Sequence, residues 1–247
     1  MPYLKEVAIA GRTVEIRKKY SARYGRKIER SPNVGPTPEK MERYNQQEAE
    51  RKLRRLINAN FGPGDFHMIV SYGGEYNPEP EEARKHLEAF LRKMRRLYEK
   101  WERPFRYVVA AERGIRGRRK MHFHMVVNYM ETREISELWP WGRVKFFPLD
   151  NTGQYADLAS YIIKRTSRTF REGTEGFKKR WNQSRNLRAP EVKNYVITAK
   201  QWRKEPKAWK GYYLEKTRFF EGVSEVTGYP MQFYSMVKLP EPMHRRI

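Results

Sequence analysis

FRYVVAAERGIRGRRKMHFHMVV, residues 105–127, holds two apolar runs joined by a short, strongly basic turn. FRYVVAAE (105–112) and the run inside MHFHMVVNYM (121–130) are rich in Val, aromatic and Met residues and read as strands. The link from residue 112 to residue 121 is too short for a parallel crossover, which needs a dozen or more residues. The two strands are therefore antiparallel neighbours, and that excludes a doubly wound parallel sheet.

Working outward, HMIVSY (67–72) predicts a strand before this pair and GRVKFFPL (142–149) one after it. GGEYNPEPEE is a loop leading to an acidic helix start, which suits the positive end of a helix dipole. Leu87, Phe90, Leu91, Met94, Leu97, Tyr98 and Trp101 then recur at helical spacing until Pro104. A short helix is expected over 132–138, and a longer one through YADLASYIIKRTSR after Asn151-Thr152-Gly153. Upstream, Thr37-Pro38 is a plausible cap and first turn for a helix reaching about Asn60. This order predicts an α+β fold: an antiparallel central sheet of about five strands with helices packed on a face. The ferredoxin/RRM-like group is the nearest common arrangement.

Three regions are expected. Residues 1–36 read as a basic hairpin, VAIA and TVEI about Ala10-Gly11, followed by a Pro/Gly-rich linker. Residues 37–175 form the main domain, and 176–247 a basic extension with small sheet elements such as NYVITA, YYLEKTRFF and MQFYSMV. The chain has 247 residues, with 52 Lys and Arg against 29 Asp and Glu, a net charge of +23. Such a charge concentrates polyanions around the protein, and nucleic acid leads because each neutralised phosphate releases counterions. An acidic membrane surface is the alternative, but no apolar run approaches the length of a spanning helix. MPYLKEVAIAGRTVEI is interrupted by charge and does not read as a signal peptide. There is no Cys, which excludes disulfides and thiolate metal sites and fits a cytoplasmic location.

Side chains at i and i+2 of a strand share a face, so His122 and His124 point together while Met121, Phe123, Met125 and Val127 face the core. Two imidazoles either decorate a solvated strand face or ligate a metal. Glu112, at the end of the neighbouring strand, would supply a third ligand across the short turn. His67 is a further candidate ligand from the first strand. In the helix that follows, Tyr161 and Lys164 are three apart and share a face, which Asp157 and Arg168 extend. Leu158, Ala159, Ile162 and Ile163 make the apolar stripe opposite. Tyr161 is then either a half-exposed packing residue or a nucleophile whose charged form the Lys164 ammonium favours. Tyr155 lies about 120° away around the helix and is the back-up nucleophile. Arg113, Arg116, Arg118, Arg119 and Lys120 in the turn, with Arg165 and Arg168 on the helix, are candidate DNA-phosphate contacts. Trp139, Trp141 and Phe146 either stack on bases or fill the core.

His122-Phe123-His124 followed by Tyr161-Ile-Ile-Lys164 resembles the His-hydrophobic-His and tyrosine-x-x-lysine motifs of the single-tyrosine HUH endonucleases. The order of the motifs is similar to that of rolling-circle replication initiators (Rep) of plasmids, mobile elements and phages. HMIVSY looks like an altered first-strand motif, and Asn-Ala-Asn-Phe (58–61) and Ser-Arg-Asn-Leu (184–187) resemble segments of bacterial members. The resemblance covers roughly 45–190. It implies that Glu112, His122 and His124 hold Mg²⁺ or Mn²⁺. It also implies that Tyr161 attacks single-stranded origin DNA, with or without adjacent duplex or hairpin, to leave a 5′-phosphotyrosine and a priming 3′-hydroxyl. No Gly-x-x-x-x-Gly-Lys-Ser/Thr stretch is present, so a host helicase and polymerase are expected partners in a bacterial cytoplasm. The rivals are a non-catalytic nucleic-acid-binding module of related fold, a hydrolytic nuclease and an HUH transposase.

Overall fold

The computed structural model describes residues 3–21, 39–114, 120–172, 177–197, 204–224 and 228–240. Along the chain these form β1 (Tyr3–Ala10), β2 (Thr13–Tyr20), α1 (Glu39–Asn60), β3 (Phe66–Tyr72) and α2 (Pro80–Lys100). Next come β4 (Tyr107–Arg113), β5 (Met121–Val127), α3 (Thr132–Glu137), β6 (Gly142–Pro148) and α4 (Ala156–Arg171). The remainder is β7 (Asn182–Gln183), β8 (Glu191–Ile197), β9 (Tyr212–Leu214), a 3₁₀ turn (Lys216–Arg218), β10 (Phe220–Val223) and β11 (Pro230–Lys238). The fold is mixed α+β with antiparallel sheets, as the element order predicts. The start of the first helix at Thr37-Pro38 and nearly all of the linker lie outside the described residues.

The chain divides into two compact units, Ala49–Arg188 and Met1–Glu48 with Ala189–Ile247. This differs from a division at 36 and 175. β1 and β2 do form a hairpin, turning at Gly11 with φ 57°. Its strands are part of a six-stranded sheet ordered β10-β11-β2-β1-β8, with β9 on β11, so the hairpin and the C-terminal strands share one sheet. Val7, Val14, Ile16, Tyr234 and Met236 are its buried apolar cluster.

The Ala49–Arg188 unit carries a five-stranded sheet ordered β6-β3-β5-β4-β7. All its pairings are antiparallel. β3, α2 and β4 form a βαβ unit split by β5, the ferredoxin-like arrangement. α2 starts at Pro80 with Glu81 and Glu82 in its first turn, and buries Ala83, Leu87, Phe90, Met94, Leu97 and Tyr98. Trp101 lies just past the helix and is exposed, its indole N–H donating to Glu134 at 2.9 Å. At the other end of the sheet, Gly142 pairs with Tyr72, and a Cβ there would collide with the Ser71 carbonyl.

The period of two along the strands sorts the sheet's side chains onto two buried faces. Met68, Val70, Val109, Phe123 and Met125 join the α2 stripe, Ile135 of α3 and Trp139 in one cluster. Val108, Ala110 and Val126 join Leu53 and Ile57 of α1 with Ala159, Ile162 and Ile163 of α4 in the other. The two crossover helices thus share one face, while α1 and α4 cover the second. That second face carries the even-numbered residues of β4 and β5, among them Glu112, His122 and His124.

Candidate active site

The pairing of β4 with β5 sets Glu112 directly opposite His122, and Ala110 opposite His124. The diagonal neighbour, His124, reaches Glu112: its Nε2 lies 2.7 Å from Glu112 Oε2. On the other side β3 places Ile69 opposite His124, and the His67 ring stacks on that of His124 with centroids 5.6 Å apart. His67 Nε2 lies 3.3 Å from His124 Nδ1. A carboxylate only accepts, so His124 Nε2–H donates to Glu112. In the tautomer that leaves Nδ1 without a proton, His124 accepts there from His67 Nε2–H at 3.3 Å. The three side chains form one polar line under α4, with His124 only 2% exposed.

Burial would raise the Glu112 carboxyl, but the His124 hydrogen bond, with the charges of His124, Arg165 and His122, outweighs it and holds the group below the usual carboxylate range. Burial, with His124 beside it, pushes the His67 imidazole down to about 4. Burial also lowers His122, against the opposing pull of Glu112.

α4 brings Tyr161 to this line. Its apolar side is buried, while Tyr161 is 37% exposed. The Tyr161 ring stands edge-on to His124 at 5.4 Å and to His67 at 5.9 Å. Arg165, one turn on, lies 5.3 Å over the Tyr161 ring and 4.0 Å from Glu112. The cation against Tyr161 and Glu112 is therefore Arg165. Lys164 is exposed and makes no ion pair among the described residues. Tyr155 sits apart from this group. It is 4% exposed, and its hydroxyl donates to the Asp150 carbonyl at 2.9 Å, which makes it a packing residue at the start of α4.

Of the basic candidates, Arg116, Arg118 and Arg119 lie outside the described residues. Arg168 is paired with Glu172, Lys120 bonds the Gly74 carbonyl, and the Arg113 backbone N–H donates to Thr169. Trp139 and Phe146 belong to the core, and Trp141 stacks on His86. Two contributions were not assigned from sequence. Arg165 holds the ring of Tyr161, a consequence of its i+4 spacing. Phe147 of edge strand β6 stacks on His67 at 5.6 Å and is 46% exposed, offering a ring beside the site.

The donor set, one carboxylate and two imidazoles on paired strands, suits a divalent cation such as Mn²⁺ or Mg²⁺. Glu112 and His124 are, however, bonded to each other, and among the described residues no group of three or more His, Asp or Glu is spaced to hold an ion.

Residues 72–168 match the family model for the replication-associated protein ORF2/G2P. The matched segment contains Glu112, His122, His124, Tyr161 and Lys164, and supports a replication-initiator role. No curated protein and no solved structure matches the chain. Among the described residues, no helix is long and apolar enough to cross a membrane.

Proposed function

We propose that the protein nicks and rejoins single-stranded DNA at a replication origin, with Tyr161 as the nucleophile, and so initiates rolling-circle replication. The observation that carries this reading is the placement of an exposed phenol edge-on to His124, which is itself bonded to Glu112. The Tyr161 oxygen attacks the scissile phosphorus, the bond to the 3′-oxygen breaks, and that oxygen takes up a proton as the phenol loses one. The products are a 5′-phosphotyrosine and a 3′-hydroxyl able to prime synthesis. Because the phosphodiester is exchanged and not hydrolysed, the reverse attack reseals the strand. Arg165 orients the ring, and exposed Lys164 is available to a phosphate oxygen. Glu112, His122 and His124 would hold Mg²⁺ or Mn²⁺, which when bound supplies charge that polarises the phosphate. The net charge of +23 favours DNA as the partner.

A second reading, a non-catalytic binding module of related fold, is favoured by the direct Glu112–His124 bond. One experiment separates the two. A 3′-labelled single-stranded DNA pool is incubated with Mn²⁺ and run on a denaturing gel. A covalent adduct that Tyr161→Phe abolishes supports the nicking reading. Cleavage without an adduct points to hydrolysis by water, and binding without cleavage to the binding module.

A further inference from the structure

The Ala49–Arg188 unit has a cavity of about 420 Å³ at the β4–β7 edge of its sheet. It lies away from the tyrosine site. Tyr107, in its wall, is five residues along β4 from Glu112, roughly 17 Å of strand, and projects to the opposite face. The volume falls in the range of small-molecule sites.

Its lining combines three chemistries. Phe105 and Tyr107 supply an aromatic wall, their rings stacked with centroids 4.8 Å apart. Arg95 of α2 and Arg185, just past β7, supply positive charge. Both are exposed, neither makes an ion pair among the described residues, and no carboxylate lines the cavity. Asn186 and Gln183 supply amides that are only partly used. Asn186 Nδ2 donates to the Phe105 carbonyl at 3.1 Å, leaving its Oδ1 without a partner among the described residues. Gln183 Oε1 accepts from the Trp181 indole at 3.1 Å, leaving its amide nitrogen so. The wall is fixed in place: Tyr107 N–H donates to Ser184 Oγ at 3.1 Å, and Ser184 N–H to the Tyr107 carbonyl at 3.0 Å.

We infer that this cavity binds one nucleotide of the single strand on which the nicking site acts. The base packs against Tyr107, its polar edge meets Asn186 and Gln183, and the flanking phosphates meet Arg95 and Arg185. An aromatic face, unspent amides and uncompensated arginines are what an unstacked nucleotide requires. The inference rests on the single-stranded DNA reading above. It adds a point, distant from the scissile phosphate, at which the strand is gripped and one base is read.

The test uses the full chain and a single-stranded DNA pool carrying 5-iododeoxyuridine. Photo-crosslinked peptides are mapped by mass spectrometry, and affinity is measured by anisotropy. Arg95→Ala with Arg185→Ala is compared with Arg92→Ala with Arg96→Ala, which removes equal charge from exposed positions of α2 outside the cavity. Crosslinks at Phe105 or Tyr107 are expected. The cavity pair should lose roughly tenfold in affinity and the control pair about threefold or less, since the charge change is the same. Equal losses in the two pairs, or crosslinks only elsewhere, overturn the inference. Adduct formation is scored on the same proteins: an adduct without crosslinks at the cavity sinks the nucleotide pocket alone. Cavity crosslinks without any adduct sink the nicking reading and leave the pocket standing.

Discussion

His124 is held from both sides, by Glu112 and by His67, so His67 would act as a positioning residue for His124 and the candidate cation. Holding a cation at His124 would require Nε2 to give up the proton it shares with Glu112, which would leave Nδ1 as the donor to His67. Removing that partner by His67→Leu, which can neither donate nor accept, is expected to weaken Mn²⁺ binding about tenfold or more in a calorimetric titration. Unchanged affinity would show that His67 only fills space. Acid sensitivity should change as well. The folded His67 titrates near about 4 and the unfolded near 6.5, so the unfolded chain binds the extra proton between those values. The stability from this group is therefore complete above about pH 6.5 and is lost as pH falls toward 4, by about 1.4 kcal/mol per pH unit. Metal-free protein should show this slope in urea midpoints between pH 7 and pH 5, and His67→Leu should flatten it. That Glu112 lies across from the histidine pair was legible from sequence to within about one residue, because the connecting turn is short; the pairing itself sets it opposite His122. The His67 contact was not, because it depends on which strand pairs on the far side of β5.

At the level of elements, two asparagines of Asn-Ala-Asn-Phe tie α1 to distant parts of its unit. Asn58 Oδ1 accepts from Tyr155 N–H at 3.0 Å, at the start of α4. Asn60 bonds both backbone groups of Arg188, donating to its carbonyl at 2.8 Å and accepting from its N–H at 2.7 Å. Asn186 of Ser-Arg-Asn-Leu makes a single bond, its Nδ2 donating to the Phe105 carbonyl at 3.1 Å. These side chains replace regular pairing where the chain leaves a helix or a short strand. Asn60→Ala deletes a buried two-bond link and is expected to destabilise the protein by about 2–3 kcal/mol, read as a lower urea midpoint; a loss below about 0.5 kcal/mol would contradict that link. Periodicity gave the longer strands and the helices of this unit closely, but not the two-residue β7, which carries no period to read. It does not say which face a helix covers, and so did not show that α1 and α4 roof the histidine face while α2 and α3 take the other.

In the sheet of the Met1–Glu48 and Ala189–Ile247 unit, the pairing of β1 with β8 and of β2 with β11 joins segments roughly two hundred residues apart. No local pattern encodes such a partner choice, which is why the hairpin read as a separate N-terminal piece. The charge, by contrast, is a property of composition and was legible at once. Binding of the proposed single strand should weaken with salt at a slope near −0.7 per phosphate engaged. Raising salt from about 50 to about 200 mM should cost at least roughly tenfold in affinity by anisotropy. A salt-independent affinity would mean that the basic surface is not the contact.

The nucleophile is identified on the peptide that carries the DNA. After reaction with single-stranded DNA and Mn²⁺, the protein is digested with nuclease and protease, and modified peptides are sequenced by mass spectrometry. The tryptic peptide that ends at Lys164 contains both Tyr155 and Tyr161. The expected result is a nucleotide 5′-phosphate on Tyr161, absent in Tyr161→Phe. A nucleotide on Tyr155 or elsewhere, or no modified peptide while the DNA is cut, would rule out Tyr161 as the nucleophile.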